Sequence, residues 1–129
     1  MWTGKFDPHA IMVPIAGLLH GPLGSFNIHC VLDTGAPFTV INTAVADQLG
    51  YNARMGKRRV RLWGIGTPQE GYSVEVSRFE AMGLCLSSFE IVCEDLDPHF
   101  GIEGLIGLDL LARHILTLDF ITGTIALGP

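Results

Sequence analysis

The residues best placed to do chemistry are Asp33-Thr34-Gly35-Ala36, which follow the apolar Cys30-Val31-Leu32 and precede Pro37-Phe38-Thr39-Val40-Ile41. A carboxylate on a tight Thr-Gly turn between strand-like segments suits carboxylate-activated water chemistry. Gly35 permits close backbone approach and can aim an N–H at the carboxylate. The tripeptide occurs once, and no Asp-Ser-Gly accompanies it. One carboxylate is half of an acid–base pair, so the turn implies an assembly as well as a reaction.

Other groupings are weaker. Ser25, His29 and Asp33 lie along one strand and do not converge on a point, which argues against a triad. His29 and Cys30 are strand neighbours and therefore face opposite sides. Gly64-Ile65-Gly66 is followed by Pro68 and a strand rather than a helix N-terminus, so it is no phosphate loop. No Cys-x-x-Cys or His-x-x-x-His spacing exists, and no metal is expected. His99 reads as a loop residue and His114 as a helix-end cation.

The elements that must hold the turn follow from local pattern. Ile11 to Leu19 and Phe26 to Leu32 are strand-like, and His20-Gly21-Pro22-Leu23-Gly24-Ser25 between them is turn chemistry, giving a hairpin that delivers Asp33 at its far end. Phe38 to Ile41 is again β-branched and aromatic. Asn42 is placed to cap a short helix, Thr43 to Leu49, closed by Gly50. Val60, Leu62 and Ile65 alternate with Arg59 and Arg61 in an exposed strand whose charged face resists edge pairing. Gly64 to Pro68 is a hairpin tip, and Tyr72 to Val76 returns from it. Phe79 to Leu86 and Ser88 to Val92 form another hairpin. Leu105-Ile106-Gly107 leads into a helix, Leu108 to His114, with Asp109 in its first turn and Arg113 and His114 in its last, matching the helix dipole. Ile115 to Phe120 and Gly123 to Leu127 close the chain. The fold class is mostly β: one domain, residues 1–129, as a closed or orthogonal β-barrel with one or two short helices.

At 129 residues and a net charge of −5, the chain can bury a core unaided and gives no electrostatic support for nucleic-acid binding. Hydrophobic residues make up 48% and charged residues only 16%. That surplus goes either into a compact β core or into a subunit interface. Arg54, Lys57, Arg58, Arg59 and Arg61 cluster, as do Glu90, Glu94, Asp95 and Asp97; two solvated loops or a docking surface would each account for this. Cys30, Cys85 and Cys93 read as buried free thiols of a reducing compartment. The run Ala10 to Leu19 is too short to span a membrane and has a poor signal-peptide flank. No membrane partner is expected, and a cytoplasmic location follows by default, although a fragment of a longer precursor would look the same.

Taken together, the Asp33-Thr34-Gly35-Ala36 turn, the Gly64-Ile65-Gly66 tip, Leu105-Ile106-Gly107-Leu108-Asp109-Leu110-Leu111 and Leu116-Thr117-Leu118-Asp119-Phe120 resemble the retropepsin-like aspartic peptidases, the single-domain, retroviral-type family. The likeness covers roughly Val13 to Phe120 and looks closest to the bacterial branch, where an extra hairpin such as Gly123 to Leu127 follows. It implies a homodimeric aspartic endopeptidase acting on a peptide or protein substrate without cofactor. Water is activated by two Asp33 residues, one per subunit, which cannot both ionise at close range. In that scheme Thr34 braces the two turns across the axis and Gly35 supports the carboxylate. Ala36, Pro37, Phe38 and Ile106 line the substrate cleft. A flap hairpin at about 59–76 covers it with Trp63, Gly64, Ile65 and Gly66, although an ordinary hairpin tip would have the same sequence. The alternative is a non-catalytic or weakly active peptide-binding or dimerisation module of the same fold. Pro37 departs from the retroviral pattern, in which a polar or acidic residue follows the turn. It has no N–H and fixes φ, so substrate contacts there cannot be carried over.

Overall fold

The structure, a computed structural model, describes residues 1–62 and 69–129, with backbone only at residues 61, 62, 69 and 100. The strands are β1 (Trp2–Lys5), β2 (Pro14–Gly21), β3 (Gly24–Leu32), β4 (Val40–Asn42), β5 (Arg58–Leu62), β6 (Gln69–Ala81), β7 (Leu84–Glu94), β8 (Gly104–Ile106), β9 (Ile115–Asp119) and β10 (Thr124–Gly128). The helices are α1 (Thr43–Gln48) and α2 (Leu108–Leu111). Six strands close on themselves in the order β2-β3-β8-β4-β7-β6, because β6 returns to β2 through Gly17–Ala81 to His20–Arg78. Strand β5 hangs on β6 as an edge, and β1-β10-β9 form a separate three-stranded sheet. This is the expected closed, mostly β architecture.

Alternation produces the barrel. Ile15, Gly17 and Leu19 of β2 and Ile28 and Cys30 of β3 point inward, while Ala16, Asn27 and His29 point out. Gly17 makes room for a ring: a Cβ there would lie 3.1 Å from Phe79, which is fully buried. Leu19, Ile28, Ile41, Leu49, Ile91 and Ile106 complete the core. Burying one such side chain stabilises the fold by about 2 kcal/mol. The Tyr51 hydroxyl donates to the His20 carbonyl at 2.6 Å and accepts from the Ser77 N–H at 3.1 Å, tying β2 to β6. Asn42 caps α1 as expected, and Gly50 closes it at φ 88°.

Several local expectations are corrected. Strand β1 has no counterpart in the sequence reading; its four residues become a strand only because β10 supplies a partner, Trp2 opposite Leu127. Strand β2 begins at Pro14, leaving Ile11 exposed. The β6–β7 reversal lies at Met82-Gly83, not near Ser87. Both turn residues have positive φ, 52° and 76°, and Met82 is held by burial of its side chain. Ser88, also at positive φ, lies within β7 without reversing the chain. Helix α2 stops at Leu111, and Arg113 at φ 69° turns the backbone into β9. The basic and acidic stretches meet at one point among the described residues, where Arg58 Nε donates to Glu90 at 2.8 Å, while Lys57 pairs with Glu75 outside the acidic stretch. Among the described residues, no helix is long and apolar enough to cross a membrane.

The thiols separate into two kinds. Burial pushes Cys30 and Cys93 up to about 12, whereas Cys85 is exposed, with Arg78 Nε 3.0 Å from its sulfur. Cys85 therefore departs from the expectation of three buried thiols. Titration of the native protein with a thiol-reactive dye at neutral pH is expected to label Cys85 rapidly, with the other two reacting only on unfolding. Peptide mapping of label on native Cys30 or Cys93 would contradict the packing.

A half-buried carboxyl gives a pH-dependent expectation. Glu94 ends β7 opposite Asn42, and its Oε2 finds no hydrogen-bond partner among the described residues. Burial, and then the negative charge of Asp95, raise its pKa. A carboxyl raised in the folded state costs stability at neutral pH, and that cost disappears as pH falls through the raised folded value to below the ordinary one. Glu94→Gln is thus expected to melt higher than the parent near neutral pH and to lose that advantage at a pH of about 4. An advantage that grows on acidification would contradict this.

Candidate active site

Asp33 is positioned by an arch. Strands β3 and β4 are neighbours in sequence but not in the sheet, because β8 lies between them. It runs parallel to β3 (Cys30–Gly104 to Leu32–Ile106) and antiparallel to β4 (Val40–Leu105, Ile41–Gly104). Residues 33–39 must therefore cross over the end of β8. The arch is anchored on that end: Asp33 N–H donates to the Ile106 carbonyl at 2.9 Å, and Leu108 N–H donates to the Ala36 carbonyl at 2.8 Å. Gly107 lies directly beneath it. A Cβ there would sit 2.5 Å from the Phe38 carbonyl atoms and 2.9 Å from the Ala36 oxygen, so only glycine allows the approach.

Within the arch, Ala36 N–H donates to the Asp33 carbonyl at 3.1 Å and Gly35 N–H to the Asp33 carboxylate at 2.9 Å. This is the backbone donor expected from the glycine. Asp33 is half-buried, whereas Thr34 and Gly35 are exposed. The carboxylate is fixed by its own turn, and the outer edge of that turn is open.

A second set of bonds locks the far end, and sequence reasoning missed it. Thr39 is fully buried and donates to Asp109 twice: through its N–H, at 2.9 and 3.0 Å to the two carboxylate oxygens, and through its hydroxyl at 2.7 Å. Its hydroxyl oxygen accepts from the Gly107 N–H at 3.2 Å, and Asp109 also accepts from the Leu110 N–H at 2.8 Å. The sequence suggested a helix-dipole role for Asp109; its main partner lies 70 residues upstream. The only available signals were a hydroxyl six residues after Asp33 and a carboxylate two after Gly107.

The remaining site residues fall in different places. Pro37 is exposed and Phe38 half-buried, its ring covered by the Arg58 guanidinium at 5.6 Å from the centroid. Ile106 is fully buried, so in the single chain it serves the turn through its carbonyl, and its side chain belongs to the core rather than to a cleft wall. Trp63, Gly64, Ile65 and Gly66 lie outside the described residues. The strands leading to and from them pair from Arg58–Ser73 to Leu62–Gln69.

The sequence profile of the family described as aspartyl protease matches residues 22–110, which include both the arch and Asp109. The chain belongs to the aspartyl protease family. Its fold is that of the retropepsins. A retropepsin-like aspartic protease from Rickettsia conorii superposes with a TM-score of 0.70 at 16% identity, over 97% of this chain and 98% of that one. The EIAV protease, solved in complex with the inhibitor HBY-793, superposes with a TM-score of 0.61 at 20% identity, over 84% and 91% of the two chains. Comparison with curated protein sequences returns no match. Set in the family's fold, the arch supplies one carboxylate, and the sequence holds no second Asp-Thr-Gly or Asp-Ser-Gly to supply another.

Proposed function

We propose that the chain is an aspartic endopeptidase whose catalytic centre forms between two copies. The observation that carries this reading is the intact, braced Asp33 turn with its outer edge, Thr34 and Gly35, exposed. A two-fold axis beside that edge places Asp33 of the partner subunit opposite the first. The two carboxylates hold one proton between them, because two adjacent negative charges are strongly disfavoured. The ionised Asp33 takes a proton from a water, whose oxygen attacks the peptide carbonyl carbon. The protonated carboxyl gives its proton to the carbonyl oxygen. The resulting tetrahedral adduct collapses as a proton passes to the departing amide nitrogen and the C–N bond breaks. In this reading Thr34 braces the paired turns, and a flap hairpin at about 59–76 covers the substrate.

The test is a peptide-library digest at several pH values, parent against Asp33→Asn, with the association state followed by sedimentation. A dyad predicts Asp33-dependent cleavage with a bell-shaped profile favouring mildly acid pH. A chain that cleaves equally well without the carboxylate would sink the proposal.

A further inference from the structure

The segment that departs from the retroviral pattern meets a charge. Phe38 is rigidly placed: its carbonyl lies against Gly107, and Thr39 next to it is locked to Asp109. Above its ring stands Arg58, the first residue of β5, on the edge strand that leads to residues 63–68. Among the described residues, the guanidinium is held by Glu90 at Nε, 2.8 Å away. An arginine has five N–H donors, and a single contact at Nε leaves the outer edge of the fork available for a carboxylate to take in two parallel bonds. The Arg58 side chain is 55% exposed, so that edge is within reach of a ligand.

The surroundings point to an anion. Arg54 and Arg59 are exposed as well, and a depression of about 440 Å³ along the strand is lined by Arg58, Arg59, Gly56 and Tyr72, with Glu70 as the one acidic residue among its described lining. Lys57 is engaged by Glu75, which removes that carboxylate as a competitor for Arg58. The aromatic ring lies 5.6 Å from the guanidinium and, unlike a carboxylate, attracts it without cancelling its charge.

We infer that Arg58, set over Phe38, is a specificity-determining residue that selects substrates carrying an aspartate or glutamate side chain at the position beside Phe38. The inference rests on the proposed peptidase reading. Pro37-Phe38 replaces a polar backbone contact with an aromatic seat, and the selectivity moves to the arginine it carries. Substrate is then recognised by charge beside the cleft as well as by extended backbone within it.

The experiment profiles cleavage of a peptide library by the full chain, by Arg58→Ala and by Arg58→Glu, with Asp33→Asn as the inactive reference. The parent is expected to enrich acidic residues at one fixed distance from the cut. Arg58→Ala is expected to lose the enrichment, with the ratio of kcat/KM for a Glu-containing peptide over its Gln counterpart falling about 10-fold. Arg58→Glu is expected to shift the preference at that position toward Lys and Arg, a reversal that general loss of stability cannot mimic. Asp33-dependent cleavage with no acidic enrichment, or with an enrichment that survives in Arg58→Ala, overturns the specificity claim and leaves the peptidase reading standing. The absence of any Asp33-dependent cleavage overturns both.

Discussion

Asp33→Asn is expected to lower peptide cleavage by at least 1,000-fold, on the order of what loss of a central acid–base or nucleophile-activating group costs, while leaving melting temperature and association state close to those of the parent. Asparagine keeps the oxygen that accepts from the Gly35 N–H, so the arch has no structural reason to open. What it removes is the capacity to take a proton from water. The proposed dimeric centre adds a sharper requirement. When parent and variant subunits are mixed in equal amounts and allowed to exchange, random pairing leaves about one quarter of the dimers with two carboxylates. Activity should follow that quarter, whereas a centre complete within one chain would retain about half. Retention of half the activity would overturn the shared centre even if Asp33 itself proved essential.

The second large effect is expected at Asp109, which touches no substrate in the proposed reaction. Asp109→Ala leaves the N–H and hydroxyl of a fully buried threonine without their acceptor. Stranding buried donors that had a charged partner costs about 2–4 kcal/mol, corresponding to a melting temperature lower by roughly 10 °C for a chain of this size. Asp109→Asn retains one acceptor oxygen and should lie between the two. Because Thr39 terminates the arch that carries Asp33, activity should fall as well, even at temperatures where the variant remains folded. The measurements are thermal unfolding and kcat/KM at a low temperature. A melting temperature for Asp109→Ala within a degree or two of the parent would show that the latch carries no load.

The two residues also mark what was legible in the sequence. Asp33 could be read because its meaning is local: the carboxylate, the glycine that donates to it and the flanking strands lie within a few positions of one another. The same holds for the Asn42 cap and the Gly50 close of α1. Asp109 could not be read, because a carboxylate in a first helical turn already has a sufficient local explanation, and its bonds to Thr39 exist only once β8 is inserted between β3 and β4. Long-range pairing misled in the same way elsewhere. Trp2 to Lys5 carries no strand pattern strong enough to stand alone, and the Met82-Gly83 reversal relies on a buried methionine rather than on usual turn residues. The seat of Arg58 on Phe38 is a contact between distant segments, while the oddness of Pro37 beside it was visible at once.

The placement of β8 has a consequence for the order in which the molecule is built. The floor of the arch is made by Gly104–Ile106 and Gly107, some 70 residues downstream of the turn they support. A chain emerging from the ribosome can form the β2–β3 hairpin early, since its pairing is local. It cannot hold Asp33 in place until residues 104–108 have been made and β8 has inserted between β3 and β4. The arch that carries Asp33 is thus completed late by construction. Pulse-labelled hydrogen exchange during refolding should find the amides of Asp33 and Leu108 gaining protection together, after those of the β2–β3 hairpin.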